Sequence, residues 1–248
     1  MTLLLDKLDP AFLDTVDELR SLSASDDVQV ALRRITERYG LKHVAYMAHS
    51  LPGRSHKDPL IVVTYSTEWI KRYSDLRYMR HDPVVARGLS SMMPIDWSEV
   101  DLSGIHVRRL FGEARDFGVG RHGMTFPIRG RYGDQAIFSI TSDETDTEWQ
   151  RIRRLFMRDF QVLAYHVHQL VLRAETAEVP TVKLSPREID CLRWSGLGKT
   201  AAEIALILGI GVRTTRFYLE NARYKLGAIN ITNAVAKAIS LNIISVSV

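Results

Sequence analysis

The sequence predicts an α+β protein in two parts: an N-terminal α-β-α sandwich around an antiparallel sheet, then a smaller all-α part of four helices. Three observations carry this. Residues 41–49 and 59–65, and again 124–130 and 135–141, are paired runs with strand character, each pair joined by a polar stretch containing glycine. Residues 145 to about 173 keep helical spacing of apolar side chains over many turns. From Ser185 onward no strand pattern remains, and helix starts and stops recur at short intervals.

The first strand pair is LKHVAYMAH and PLIVVTY, separated by SLPGRSHKDP. Trp69 and Tyr73 follow at i and i+4, on one helix face, with Asp82-Pro83 nine residues after the tyrosine. Two readings are open for this stretch. The aromatic face packs into a core and Asp82 caps a turn, or the indole N–H, the phenol and the carboxylate converge on a small polar ligand. Ile105 to Phe117 reads as a helix stopped at Gly118. MTFPIRG and QAIFSIT form a second hairpin around RYGD. Thr145-Asp-Thr-Glu148 has capping-box spacing and opens the long helix, which at 1.5 Å per residue is ~40 Å long. Trp149, Ile152, Leu155, Phe156, Leu163, Val167 and Leu170 form its main apolar stripe. Val162, Ala164 and Val171 lie on a further stripe, which either serves a partner in a homodimer that reads two half-sites or, like the rest, covers the sheet. RAETAEVPTVK is polar, contains Pro180 and has no periodicity. The expected domains are therefore 1–172 and 184–248, with a linker at 173–183.

In the last part, Ser185-Pro186 gives an N-cap with proline at the first helical position. Thr200-Ala-Ala-Glu203 is a capping box, Gly209-Ile210-Gly211 a tight turn, and Val212–Leu226 a longer helix stopped by Gly227. Asn230 to Leu241 is a fourth helix. A short helix, a glycine-containing turn and a longer helix make the helix-turn-helix shape. Charge agrees with a phosphate-neutralising role. From Lys183 on there are nine basic and four acidic residues, a net +5, whereas the whole chain is +4 and the first 182 residues therefore −1.

The stretch LSPREIDCLRWSGLGKTAAEIALILGIGVRTTRFYLENARYKLGAIN resembles the DNA-binding region of LuxR-type regulators. Tyr65, Trp69, Tyr73, Asp82-Pro83-Val84, Trp97 and the run Phe117-Gly-x-Gly120…Gly123-x-Thr125-x-Pro127 resemble the same family's autoinducer-binding domain, whose ligands are N-acyl-homoserine lactones. The resemblance spans about residues 10–245. It implies that Asp82 accepts the ligand amide N–H and that the Trp69 indole, a donor only, points at the lactone carbonyl. It implies that the hydroxyls of Tyr65 and Ser139 donate to the acyl carbonyl, and that Tyr73 and Trp97 wall the head group. The acyl tail would run along alternate residues of the strand around Val44–His49.

For DNA, the resemblance places Val212–Leu226 in the major groove, with Arg216, Phe217 and Glu220 facing bases. Lys199, Thr200, Arg213, Thr214, Tyr218, Arg223 and Lys225 are phosphate candidates. Glu220 departs from the family's usual basic residue. It reads cytosine or pairs with Arg216 or Arg223, and both readings stay open. Gly211 stands where the family usually has a serine cap, Tyr218 where histidine is common, and Ile231 where arginine is frequent. The implied partners are a small-molecule autoinducer and double-stranded DNA, read by a homodimer. The alternative is a regulator that binds DNA without ligand or answers another small molecule.

Other classes are disfavoured. Cys191 is the single cysteine, so neither an intramolecular disulfide nor a cysteine-rich zinc site is expected, which fits a reducing cytoplasm. The eight histidines lack metal-ligand spacing, and there is no GxSxG, P-loop or GxGxxG; no enzyme and no cofactor are expected. A phosphorylation-driven receiver would need an alternating βα pattern that is absent. MTLLLDKLDPAF has no secretory-signal character, and no run of about 18 apolar residues spans a membrane.

Overall fold

A computed structural model describes residues 2–22, 28–51, 59–130, 133–175 and 182–246. The turn expected at 50–59, part of the RYGD turn and the middle of the expected linker lie largely outside these residues. The chain divides into two compact units, with all strands in the larger.

Two helices precede the sheet, α1 (Thr2–Ser21) and α2 (Val28–Tyr39). Then come β1 (His43–Ser50), β2 (Leu60–Val63), α3 (Thr67–Asp75), α4 (Pro83–Ser90), β3 (Ile95–Asp96), α5 (Ile105–Asp116), β4 (His122–Arg129), β5 (Gln135–Ser142) and α6 (Asp146–Glu175). Short 3-10 turns cover Tyr78–Arg80 and Trp97–Glu99. Among the described residues the strands form one antiparallel sheet in the order β2-β1-β5-β4-β3. The register sets Ala45 and Thr125 opposite Ser139, and Tyr46 and Phe126 opposite Phe138.

Side chains alternate across a strand, so this register sorts the sheet into two faces. Val44, Tyr46, Ala48, Met124, Phe126, Ile128, Phe138 and Ile140 form one core with α1, α2 and α6. The rings of Phe126, Phe138, Phe156 and Phe160 interlock there at centroid distances of 5.2–6.4 Å. Each such ring stabilises the fold by about 1.5–3 kcal/mol through burial. One set of polar groups within this core is paired. The Tyr46 hydroxyl lies 2.6 Å from His168 Nδ1, and His168 Nε2 lies 2.5 Å from the Asp134 carboxylate.

The expected second stripe of α6 is corrected here. Ala164 and Val171 are fully buried within the domain, and of the three residues only Val162 is exposed. The physical reason is α1, absent from the expectation, which packs along α6; Arg173 donates to the Leu19 carbonyl across that contact at 2.9 Å.

On the opposite face of the sheet lie α3, α4 and α5. Here α4 approaches closely because residue 88 is glycine; a Cβ there would sit 2.8 Å from the Ile137 side chain.

The smaller unit contains α7 (Pro186–Gly196), α8 (Ala201–Leu208), α9 (Val212–Lys225) and α10 (Ile231–Ser240). Ser185 and Thr200 both form complete capping boxes, with Glu188 and Glu203. The unit's core is Cys191, Leu192, Ile204, Leu219, Ala222, Leu226, Ala234 and Ala238. Burial pushes the Cys191 thiol up, which keeps it protonated and inert. Among the described residues no helix is long and apolar enough to cross a membrane.

Candidate functional site

The cavity face of the sheet encloses a volume of about 840 Å³. Its floor is Ala45 and Met47 of β1, Ile61 and Val63 of β2, and Ile137 and Ser139 of β5. Its cover is α3, α4 and α5, with Tyr65, Trp69, Tyr73, Asp82, Val84, Trp97, Leu110, Phe111 and Ala114. All six ligand-site residues singled out from the sequence therefore line one cavity.

Each is positioned by identifiable local chemistry. Ser66 caps α3 through the Trp69 amide and sets the helix that carries Trp69 and Tyr73. Trp69 packs against Tyr73, Tyr78 and Phe117 at centroid distances of 5.5–6.1 Å. Its Nε1 makes no hydrogen bond to the described residues. Tyr65 is held edge-on by His43 at 5.1 Å, and burial beside Asp82 pushes its phenol up, so it stays a donor.

Asp82 caps a helix and also lines the cavity. Its Oδ1 accepts from the Val84 and Val85 amides at 2.8 and 3.4 Å, capping α4 with Pro83 at the first helical position. Its Oδ2 accepts from the Tyr73 hydroxyl at 2.8 Å. Burial raises the carboxyl above the ordinary range, against the pull of Tyr73 and the two amides. Tyr73 is thus both a wall and the donor that orients Asp82, a role the spacing alone did not reveal.

Trp97 also differs from a plain wall. Its Nε1 donates to Thr125 Oγ1 at 2.9 Å, and Thr125 Oγ1 lies 2.8 Å from Ser139 Oγ. Thr125 belongs to the run at 117–127 that carries the resemblance, but the sequence assigned it no part in the ligand site. The cover is fastened by Glu113 of α5, which accepts from Arg72 of α3 at 2.7 and 2.8 Å and from Arg109 at 2.9 Å. The Arg72 guanidinium above all holds the Glu113 carboxyl down to about 2.

In the smaller unit, Thr215, Leu219, Ala222 and Leu226 face the core as the spacing requires. Arg213, Thr214, Arg216, Phe217 and Glu220 are exposed along α9, and Lys199 is exposed before α8. Of the two readings of Glu220, the intrahelical pair is present: Arg223 Nε donates to Glu220 at 2.7 Å. Arg223 also donates to the Ala228 carbonyl at 3.1 Å. Tyr218 is half-buried against the core, with its ring 5.9 Å from that of Phe217.

Two further phosphate candidates have internal tasks. Lys225 Nζ donates to both Glu188 oxygens at 2.9 and 2.8 Å, tying α9 to α7. Burial works to raise the Glu188 carboxyl, but Lys225 and the Ser185 amide outweigh it and hold it low. The Thr200 hydroxyl closes the α8 cap by donating to Glu203 at 2.7 Å. Gly211 caps α9 without a side-chain hydrogen bond, as its lack of a side chain dictates.

Comparison with known proteins gives a family for each unit. Residues 24–171 match the autoinducer binding domain family, and residues 182–238 match the luxR family of bacterial regulatory proteins. The chain is 37% identical over 190 residues to the transcriptional activator protein RaiR of Rhizobium etli, covering 74% of this chain and 78% of that one. Its fold is similar to that of Escherichia coli SdiA, with a TM-score of 0.68 at 22% identity, over 94% of this chain and 98% of that one. CepR2 of Burkholderia cenocepacia, described as an N-acylhomoserine lactone dependent LuxR family transcription factor, matches with a TM-score of 0.50 at 22% identity, over 71% of this chain and 99% of that one. The chain belongs to the LuxR family of transcriptional regulators, with an autoinducer-binding domain followed by a helix-turn-helix DNA-binding domain.

Proposed function

We propose that the larger unit binds an N-acyl-homoserine lactone or an aryl analogue, and that a ligand-bound homodimer in the cytoplasm binds promoter DNA. One observation carries the ligand reading. A mostly apolar cavity holds a carboxylate, an indole N–H and two hydroxyls around a single region, at Asp82, Trp69, Tyr65 and Ser139. A homoserine lactone amide offers one N–H donor and carbonyl acceptors, with an apolar chain beyond, which matches that set. The dependence on N-acylhomoserine lactone in the description of CepR2 supports the same class.

Without ligand, each of these polar groups lacks part of its hydrogen bonding, at a cost of about 1–3 kcal/mol per unsatisfied group. Ligand satisfies them together and fills the apolar volume, which stabilises the unit. On the DNA side, the exposed Arg213, Thr214, Arg216 and Phe217 support insertion of α9 into the major groove. Arg216 then contacts guanine and Phe217 a thymine methyl. Lys199, Arg213 and Thr214 are the exposed phosphate candidates without a side-chain hydrogen bond to the described residues. Arg223 and Lys225 reach phosphates only by loosening the pairs with Glu220 and Glu188.

The test is to express the full chain with a panel of acyl- and aryl-homoserine lactones, extract the purified protein, and identify retained molecules by mass spectrometry. Retention of one lactone, with a matching rise in melting temperature, is expected. Retention of none, with an unchanged melting temperature, overturns the reading.

A further inference from the structure

The cavity contains a hydrogen-bond chain whose direction is set by one residue. Indole Nε1–H is a donor only, so the 2.9 Å contact means that Trp97 donates and Thr125 Oγ1 accepts. Thr125 is completely buried, and its remaining side-chain hydrogen bond among the described residues is the one to Ser139 at 2.8 Å. Two arrangements satisfy these distances. If Thr125 donates to Ser139, its fully buried proton has an acceptor and the one proton left over, that of Ser139, faces the cavity. If Ser139 donates to Thr125, the Thr125 proton is buried without an acceptor, at a cost of about 1–3 kcal/mol. The first arrangement therefore dominates.

The indole is also placed with little freedom. A Cβ at Gly123 would collide with the Trp97 ring, so the ring lies flat against β4 where only glycine leaves room. Phe111 meets it edge-on at 6.1 Å. The register puts Thr125 directly opposite Ser139 on adjacent strands, which holds the two hydroxyls together. A buried chain of this kind is polarised along its length and strengthens the bond at its free end.

We infer that Trp97 is a positioning residue: acting through Thr125, it presents the Ser139 hydroxyl to the cavity as a hydrogen-bond donor and so selects a ligand with a carbonyl oxygen at that place. This rests on the lactone reading for the identity of the carbonyl, which is then the acyl amide carbonyl. The relay itself stands on the protein's own groups. Specificity at Ser139 is thus set through the fully buried Thr125.

Two measurements on the full chain test it. The first needs no ligand: the ¹⁵N-indole spectrum, with the Trp97 resonance assigned by its loss in Trp97→Phe. Thr125→Val, which keeps the shape and removes the acceptor, is expected to shift that resonance upfield and speed its hydrogen exchange. An unmoved resonance overturns the relay. The second is a double-mutant cycle on binding of N-octanoyl-homoserine lactone by calorimetry. Thr125→Val is expected to weaken binding about tenfold with Ser139 present, the size of one good hydrogen bond, and less than about twofold in Ser139→Ala. Equal losses in both backgrounds would make Thr125 and Trp97 packing residues only and overturn the proposal. A protein that shows the indole shift yet binds none of the acyl-homoserine lactones breaks the lactone reading and leaves the relay standing.

Discussion

The two faces of the one sheet are built from neighbouring residues and do opposite things. On β5, Phe138 and Ile140 enter a solid core, while Ile137 and Ser139 look into the cavity. On β1, Val44 and Tyr46 are core, while Ala45 and Met47 line the cavity floor. The core face is sealed by long helices and interlocked rings, and Tyr46, His168 and Asp134 bond one another within it. The cavity face is spanned by short helices, and its polar side chains keep hydrogen-bonding capacity directed at the space between. A one-residue change of position along a strand thus separates stability from recognition.

The largest expected effect breaks the comparison on its sealed side. Phe138→Ala is expected to cost about 3–5 kcal/mol, equally with and without ligand, measured by chemical unfolding. A loss that depended on ligand would mean the two faces are energetically one.

Next in size is Asp82→Asn. At about 100 times its dissociation constant a ligand adds about 2.7 kcal/mol to wild-type stability, and the variant is expected to lose nearly all of this. Melting temperatures with and without lactone read the difference. The isolated C-terminal region from residue 182 serves as a control that the substitution cannot touch.

Smaller effects come from pH. The raised Asp82 carboxyl favours its protonated form in the fold, so its ionisation destabilises the ligand-free protein as pH rises through the ordinary carboxylate range toward that raised value. A ligand N–H needs the ionised carboxylate. Ligand affinity is therefore expected to fall as pH drops through the raised value, and calorimetry across pH 4–8 would show a flat profile for Asp82→Asn. Glu113 has the opposite sign. Its stabilising contribution is complete above its ordinary 4.5 and is lost as pH falls toward about 2. Glu113→Gln is expected to remove that acid-labile part of the melting curve.

The smallest effect on stability sharpens the contrast. Ala45→Leu adds bulk to the cavity floor and is expected to change ligand-free stability by less than about 1 kcal/mol. It should nevertheless shift binding toward shorter acyl chains in a chain-length series. A large stability loss would show that the floor is packed like the core.

Much of this architecture is legible in the sequence because it rests on local rules. Alternation marks β1, β4 and β5, and capping residues mark α6, α7 and α8. Spacing and resemblance together select the six cavity residues. Local rules also misassigned the second stripe of α6, since nothing near residues 162–171 reveals that Ala164 and Val171 are buried in a core to which α1, more than a hundred residues earlier, contributes. The same limit applies to the site. The residue types Trp97, Thr125 and Ser139 are written in the chain, but their order as donor and acceptor depends on strand register and on the space left at Gly123. Lys225 reads as one more basic residue on a basic helix until the fold brings Glu188 within 3 Å. The sequence by itself determined which elements form and which chemistry is present, because helix and strand periodicity and capping act over a few residues. Only the tertiary structure decided which groups are paired with protein and which face the cavity, because hydrogen-bond partners are chosen across strands and helices far apart in the chain.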